Sequence, residues 1–309
     1  MLRTISISLC LTLFLILTTT TTKAEGLVAL TTTGNLISFD SATPGTVSSV
    51  AITGLQAGES IRGIDRRPAT GELYGVGSSS RLYVINTTTG FATQIGSAGA
   101  FSLSGTSFGV DFNSVVDRIR VISDSGQNLR LNPNDGTLTA TDTALAFAGG
   151  DPNAGVPAHA VGAAYANNFA GATQTTLFVI DSNLDILTTQ GSPNGTPTSP
   201  NTGQLFTVGA LGFNTSDLAA FDISGFSGIA YASLTAPGAN FSQLFTINLT
   251  TGAATLVGTI GGGASVTSLA APVGNAVPEP ATMLLLSAGI TGLGLKLRNR
   301  RKIQPGDGG

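Results

Sequence analysis

Three aspartates recur where short β-type runs end: Asp65 in Ile-Arg-Gly-Ile-Asp, Asp111 in Phe-Gly-Val-Asp-Phe and Asp222 in Ala-Ala-Phe-Asp-Ile. Each stands two residues after a small residue, Gly63, Gly109 or Ala220. Carboxylates converging from separate strands can coordinate a hard cation such as Ca2+, hold a sugar, or divide acid and base roles across a glycosidic bond. The plainer alternative is that each accepts backbone N–H bonds at a strand end and locks its segment to the next. A second set gathers Arg118, Arg120 and Arg130 with Asp117 and Asp124 in one stretch of chain. Strand alternation puts Arg118 and Arg120 on one face, and Arg130 could join them from the adjacent strand. That set could clamp an anionic saccharide through bidentate bonds. It could equally neutralise itself as an ion-pair network.

Other motifs carry less chemistry. Asp181-Ser-Asn183-Leu-Asp185 has the one-three-five spacing of a calcium loop, but Ile186 stands where the sharp-turn glycine belongs and Ser192 where the bidentate glutamate belongs. It reads as the tight turn of a hairpin, as does Asn132-Pro-Asn-Asp135-Gly136. His159 is the only histidine and lies in a Pro/Gly loop that also holds Asp151. No Gly-x-Ser-x-Gly elbow accompanies it, and one histidine without cysteine cannot make a zinc site. The expectation is a protein that is not an enzyme, with no cofactor except Ca2+ as an option at the carboxylates.

The elements that must position these residues repeat. One unit reads Ser60–Asp65, Gly71–Val76, Arg81–Asn86 and Ala92–Gly96, and three more follow with the same rhythm of short β-branched and aromatic runs between Gly, Asn and Thr turns. The opening small residues Gly63, Gly109, Gly162 and Ala220 are 46, 53 and 58 residues apart. Four strands at that period make the blade of a β-propeller. Leu27–Leu30, Asn35–Phe39 and Val47–Ile52 lack a partner before them, and Val266–Ala271 lacks a unit after it. Joining these ends gives an all-β, five-bladed propeller of four-stranded blades with velcro closure. The segments 149–159 and 191–203 are long loops rich in Pro, Gly and Asn, and 144–159 has room for extra structure.

Charge narrows the partners. Between Ala24 and Ala276 there are seven arginines, no lysine and fifteen carboxylates, leaving that region at −8. Nucleic acid needs a positive footprint and is excluded as a partner. Both ends of the chain read as addresses. Arg3, the apolar run Ile5–Leu17 and Thr22-Lys23-Ala24 form a secretory signal over 1–24, a helix recognised by the Sec route and removed by signal peptidase. The only cysteine, Cys10, leaves with it, so the mature chain has neither disulfide nor thiol chemistry. After the propeller at 25–272, a linker at 273–280 carries Val277-Pro278-Glu279-Pro280. The apolar run 281–297 and a basic tail at 298–309 follow, with Arg298, Arg300, Arg301 and Lys302 as a membrane stop. The fifteen apolar residues from Ala281 to Leu295 make a helix of about 22 Å, short of the ~30 Å hydrocarbon core.

That tail resembles the PEP-CTERM sorting signal. The resemblance implies recognition of the Pro-Glu-Pro motif by exosortase, a transient inner-membrane anchor, and delivery to the cell surface or the extracellular space. The central region resembles the DUF4394 family through Gly63-Ile-Asp-Arg-Arg-Pro-Ala-Thr-Gly-Glu-Leu-Tyr-Gly75, through the stretch from Val116 to Pro133, and through the stretch from Leu244 to Leu256. This second resemblance implies a propeller-like fold and no particular activity. Together these features suggest an exported, non-catalytic binding or structural module associated with exopolysaccharide. The alternative is an extracellular glycosidase or lyase working through Asp65, Asp111 and Asp222.

Overall fold

Period-two alternation shares each strand between two cores. In Gly26–Thr31, Leu27 and Ala29 pack with Tyr231, Leu244 and Leu269, whereas Val28 and Leu30 pack with Ile61, Ile64 and Leu73. A strand buried on both faces reads as a near-continuous apolar run. Leu177–Asp181 (Leu-Phe-Val-Ile-Asp) is buried throughout. The outermost strands, such as Val47–Ala51 and Ala254–Thr259, carry Ser, Thr and Gly and are largely open to solvent.

The computed structural model describes residues 24–263 and 265–274. They form five antiparallel sheets around one axis. The first blade is built from Val266–Ala270, Gly26–Thr31, Asn35–Asp40 and Val47–Ala51, running outward. The second holds Ile61–Arg66, Leu73–Gly77, Leu82–Ile85 and Ala92–Ile95. The third holds Phe108–Asn113, Arg118–Ser123, Asn128–Leu131 and Leu138–Thr141. The fourth holds Ala160–Tyr165, Leu177–Asp181, Ile186–Gln190 and Gln204–Ala210. The fifth holds Ala219–Ile223, Ala230–Leu234, Gln243–Ile247 and Ala254–Thr259. Closure is the expected velcro, with Val28 opposite Ala270 and Ala29 opposite Leu269. The segment 144–159 does hold extra structure: Ala146–Phe147 pairs in parallel with Gln204 and Leu205 at the outer edge of the fourth blade.

Five apolar clusters fill the five gaps between neighbouring blades. Each buried Leu, Ile or Phe there contributes about 1.5–3 kcal/mol. The small residues that open the inner strands allow those strands to meet closely on the axis. A Cβ on Gly109 would sit 2.7 Å from the Ala163 nitrogen, and one on Gly63 2.3 Å from Val110 Cγ2. The turns repeat as well. Asn86 Oδ1 accepts the Thr88 and Thr89 N–H groups at 2.9 and 3.0 Å, and Asn248 Oδ1 accepts those of Thr250 and Thr251 at the same distances. Both turns end on a glycine in the left-handed region, Gly90 (φ 73°) or Gly252 (φ 81°).

The signal segment falls at 1–23 outside the described residues, and so does everything from 275 onward. The sorting motif, the apolar run 281–297 and the basic stop therefore have no structural description. Among the described residues no helix is long and apolar enough to cross a membrane.

Candidate functional site

The inner strands place Asp65, Asp111 and Asp222 at one end of the axis, all buried, with carboxylate oxygens within 4.8 Å of one another. Each spans a blade boundary. The Phe112 N–H donates to Asp65 Oδ2 (2.7 Å), the Tyr165 N–H to Asp111 Oδ1 (3.0 Å) and the Ala271 N–H to Asp222 Oδ2 (2.5 Å). In each case the donor follows the equivalent position of the next blade. The fourth and first blades have Ala164 and Ala270 at that position, so two donors lack a carboxylate from the preceding blade. The Ile223 N–H donates instead to Asp222 Oδ1 (2.6 Å), and the Arg66 N–H to Asp65 Oδ1 (2.6 Å). Five backbone donors thus use five of six carboxylate oxygens. The sixth, Asp111 Oδ2, is buried and receives no N–H or hydroxyl.

Burial dominates the electrostatics. It pushes the Asp65 and Asp111 carboxyls well above their ordinary range, and the mutual repulsion of the acids adds to it despite the backbone bonds. Burial also raises Asp222 to about 7, against the pull of the Ala271 and Ile223 amides, a bond donated by the protonated Asp111 carboxyl and the Arg66 charge. Two unit charges 4.8 Å apart repel by about 3–4 kcal/mol at an effective dielectric of ~20. Arg66 is the nearby cation, and burial lowers its own pKa while Asp65 and Asp222 raise it.

The axis is closed on both sides of this ring. Toward the start of the inner strands, the layer around Gly109, Gly162 and Ala220 leaves no space for a water molecule. Beyond the ring, the segments after three inner strands pack together. The Gly225 N–H donates to Pro272 O and the Gly274 N–H to Asn168 O, both at 2.9 Å. Asn168 is buried there, and neither its Oδ1 nor its Nδ2 has a partner. The three carboxylates are therefore enclosed.

The arginine set divides. Arg120 and Arg130 face each other across adjacent strands and share Asp142, at 2.6 and 2.7 Å. Arg120 is buried and also donates to Asn128, Tyr165 and Asn201. Burial raises Asp142, but the bonds from Arg130 and Arg120 leave it below the ordinary carboxylate range. Arg118 does not join them. It begins its strand at the solvent edge, and its guanidinium folds back onto the carbonyls of Val116 and Asp117. Asp117 pairs across the blade boundary with Arg67, and Asp124 is held by Thr106. The counter-ion of the pair is therefore Asp142, whose only sequence signal was its place just after the fourth strand of its own blade.

His159 does not pair with Asp151, which is held by Thr207 and Asn153. Its Nε2 lies 3.0 Å from Asp217 Oδ1, and Ser182 Oγ donates to the same oxygen at 2.7 Å. The carboxylate sits between serine and histidine, whereas nucleophile activation needs the imidazole in the middle. Asp124 also reaches this group. Asp217 rims a cavity of about 260 Å³ at the opposite end of the axis, beside Arg62. The Asp181–Asp185 segment is a turn: Asp181 Oδ1 accepts the Asn183 and Leu184 N–H groups, and Asp185 Oδ1 accepts that of Thr215.

A model of the family described as "Domain of unknown function (DUF4394)" matches residues 35–270. The chain belongs to the DUF4394 family. The PEP-CTERM protein-sorting motif matches residues 276–302, which marks this DUF4394 chain for export, exosortase processing and sorting to the cell surface. No curated protein matches the sequence. The DUF4394 chain is similar in structure to a structural-genomics protein of unknown function from Bacteroides thetaiotaomicron VPI-5482 (13% identity, TM-score 0.45, 76% of this chain and 58% of that one). It is also similar to dihydro-heme d1 dehydrogenase NirN in complex with DHE (12%, 0.37, 75% and 43%) and to hydrazine synthase from Kuenenia stuttgartiensis (11%, 0.38, 65% and 49%). It spans less than two thirds of the length of each.

Proposed function

We propose that this DUF4394 propeller is a non-catalytic module that binds or structures exopolysaccharide outside the cell. Sec export and signal peptidase deliver it, the apolar segment 281–297 anchors it in the inner membrane with the basic tail cytoplasmic, and exosortase acts at Val277–Pro280 before release. The observation that carries the binding role is a groove along the second blade that continues onto the first. A cavity of about 490 Å³ and another of about 380 Å³ adjoin there and share Thr87 and Thr88. Hydroxyls and amide-bearing turns line it, with Arg66 and Glu72 at one side, and the Phe91 ring is 55% exposed in it. An aromatic face among hydroxyls and a few charges suits a linear saccharide. The rival reading, a glycosidase or lyase acting through the axial carboxylates, has less support because Asp65, Asp111 and Asp222 are enclosed.

Retention of the purified full chain on immobilised matrix polysaccharide tests the proposal. Phe91→Ala should weaken retention about tenfold, the loss of ~1.4 kcal/mol of stacking and contact area. Absence of retention, or retention indifferent to Phe91, would overturn it. Degradation of the polysaccharide that is abolished by Asp111→Asn would favour the enzyme.

A further inference from the structure

We propose that the axial ring is a buried site for one divalent, oxygen-seeking cation of the Ca2+ class, held by Asp65, Asp111 and Asp222. Three observations converge on this. First, the oxygens lie within 4.8 Å of one another, which is the separation allowed by two metal–oxygen bonds of about 2.4 Å. Second, the donors at this end leave one carboxylate oxygen over. The N–H groups of Arg66, Phe112, Tyr165, Ile223 and Ala271 each take one oxygen, and Asp111 Oδ2 remains buried with no N–H or hydroxyl donor. A buried carboxylate oxygen in that state calls for a positive partner. Third, Asn168 brings a buried amide with both polar atoms unpaired to the same end of the axis, three residues beyond Tyr165. Amide oxygens, like carboxylates, are ligands that calcium accepts.

The other oxygens keep lone pairs after accepting one N–H each, so the backbone bonds that lock the blades also orient the ligands. The charged groups that face the site are the three carboxylates and Arg66, and one guanidinium cannot balance three carboxylates. A dication would. The site is enclosed, so the ion enters as the ring closes. This proposal stands apart from the polysaccharide groove and shares only Arg66 with its lining.

Refolding the purified full chain from denaturant, in parallel with 1 mM CaCl2 and with EDTA, tests it. The wild type should retain about one calcium per chain after gel filtration and melt roughly 5–10 °C higher than the EDTA sample. Asp111→Asn should retain less than a tenth of that calcium and melt alike in both buffers. Asp217→Asn, at the exposed His159 cluster, should retain it in full. A calcium-free wild type that melts alike in both buffers would overturn the proposal and leave protons as what neutralises the ring. So would an Asp111→Asn variant that keeps its calcium, or an Asp217→Asn variant that loses it. The wild-type calcium count decides the matter even if Asp111→Asn does not refold.

Discussion

The third blade and the axis bury charge in opposite ways. Around Asp142, two arginines face one carboxylate and compensate it fully, and the carboxylate is held below its ordinary pKa. Around Asp111, three carboxylates meet with one partly buried arginine, and burial drives their pKa values up. Both clusters are satisfied by hydrogen bonds almost throughout. The difference teaches that hydrogen-bond completeness and charge balance are separate properties. The arginine cluster leaves no carboxylate uncompensated and reads as structure. The axial ring has one buried oxygen without a donor and more carboxylates than cations, and an unbalanced buried charge is where a ligand or a proton belongs.

Breaking the balanced side should have the larger effect. Arg120→Met removes a buried guanidinium from Asp142, Asn128, Asn201 and Tyr165 at once. Chemical denaturation should show a loss of about 3–5 kcal/mol. A loss below 1 kcal/mol would mean the cluster is an ornament of the surface.

The unbalanced side should show itself in pH. Asp222 has a folded pKa of about 7 against 3.8 unfolded, so its protonated form favours the native state. That contribution is present below about pH 4 and is lost as pH rises through about 7, by at most about 4 kcal/mol. Asp65 and Asp111 shift in the same direction. Asp142, Asp124 and Asp151 shift the other way, and their stabilisation is lost at more acid pH. Melting in chelator between pH 5 and 8 should therefore fall as pH rises, and Asp111→Asn should flatten the slope. A wild-type melting temperature that climbs through this window would contradict the assignment.

Two smaller effects sharpen the comparison. Gly162→Ala places a Cβ 3.0 Å from Phe221 Cβ in the tightest layer of the axis and should cost about 1–3 kcal/mol in a denaturant midpoint. Asn86→Ala removes one capped turn far from either cluster, and its cost should stay near 1 kcal/mol with no change in the pH slope.

Much of this was legible in the sequence, and the reasons are physical. Strand count and closure follow from period-two runs and from small residues at Gly63, Gly109, Gly162 and Ala220, which mark where backbones approach on the axis. The blade-locking role of Asp65, Asp111 and Asp222 was legible as one of two alternatives. What the sequence concealed was long-range pairing. Asp142 meets Arg120 and Arg130 only because strands fold back, and Asp217 reaches His159 across 58 residues. The pairing offered by proximity, His159 with Asp151, loses to the Thr207 and Asn153 bonds of Asp151. The odd oxygen of Asp111 depends on counting donors across all five blades, which no single motif records.

The most direct test compares two isosteric changes at pH 8 in chelator by equilibrium unfolding. Asp111→Asn removes one repelling charge while its oxygen still receives the Tyr165 N–H, so it should equal or exceed the wild type in stability. Asp222→Asn must present an NH2 group to either the Ile223 or the Ala271 N–H, so it should lose about 1–3 kcal/mol. Equal losses in the two variants, or a larger loss at Asp111, would contradict an axial ring in which five donors leave Asp111 Oδ2 unclaimed.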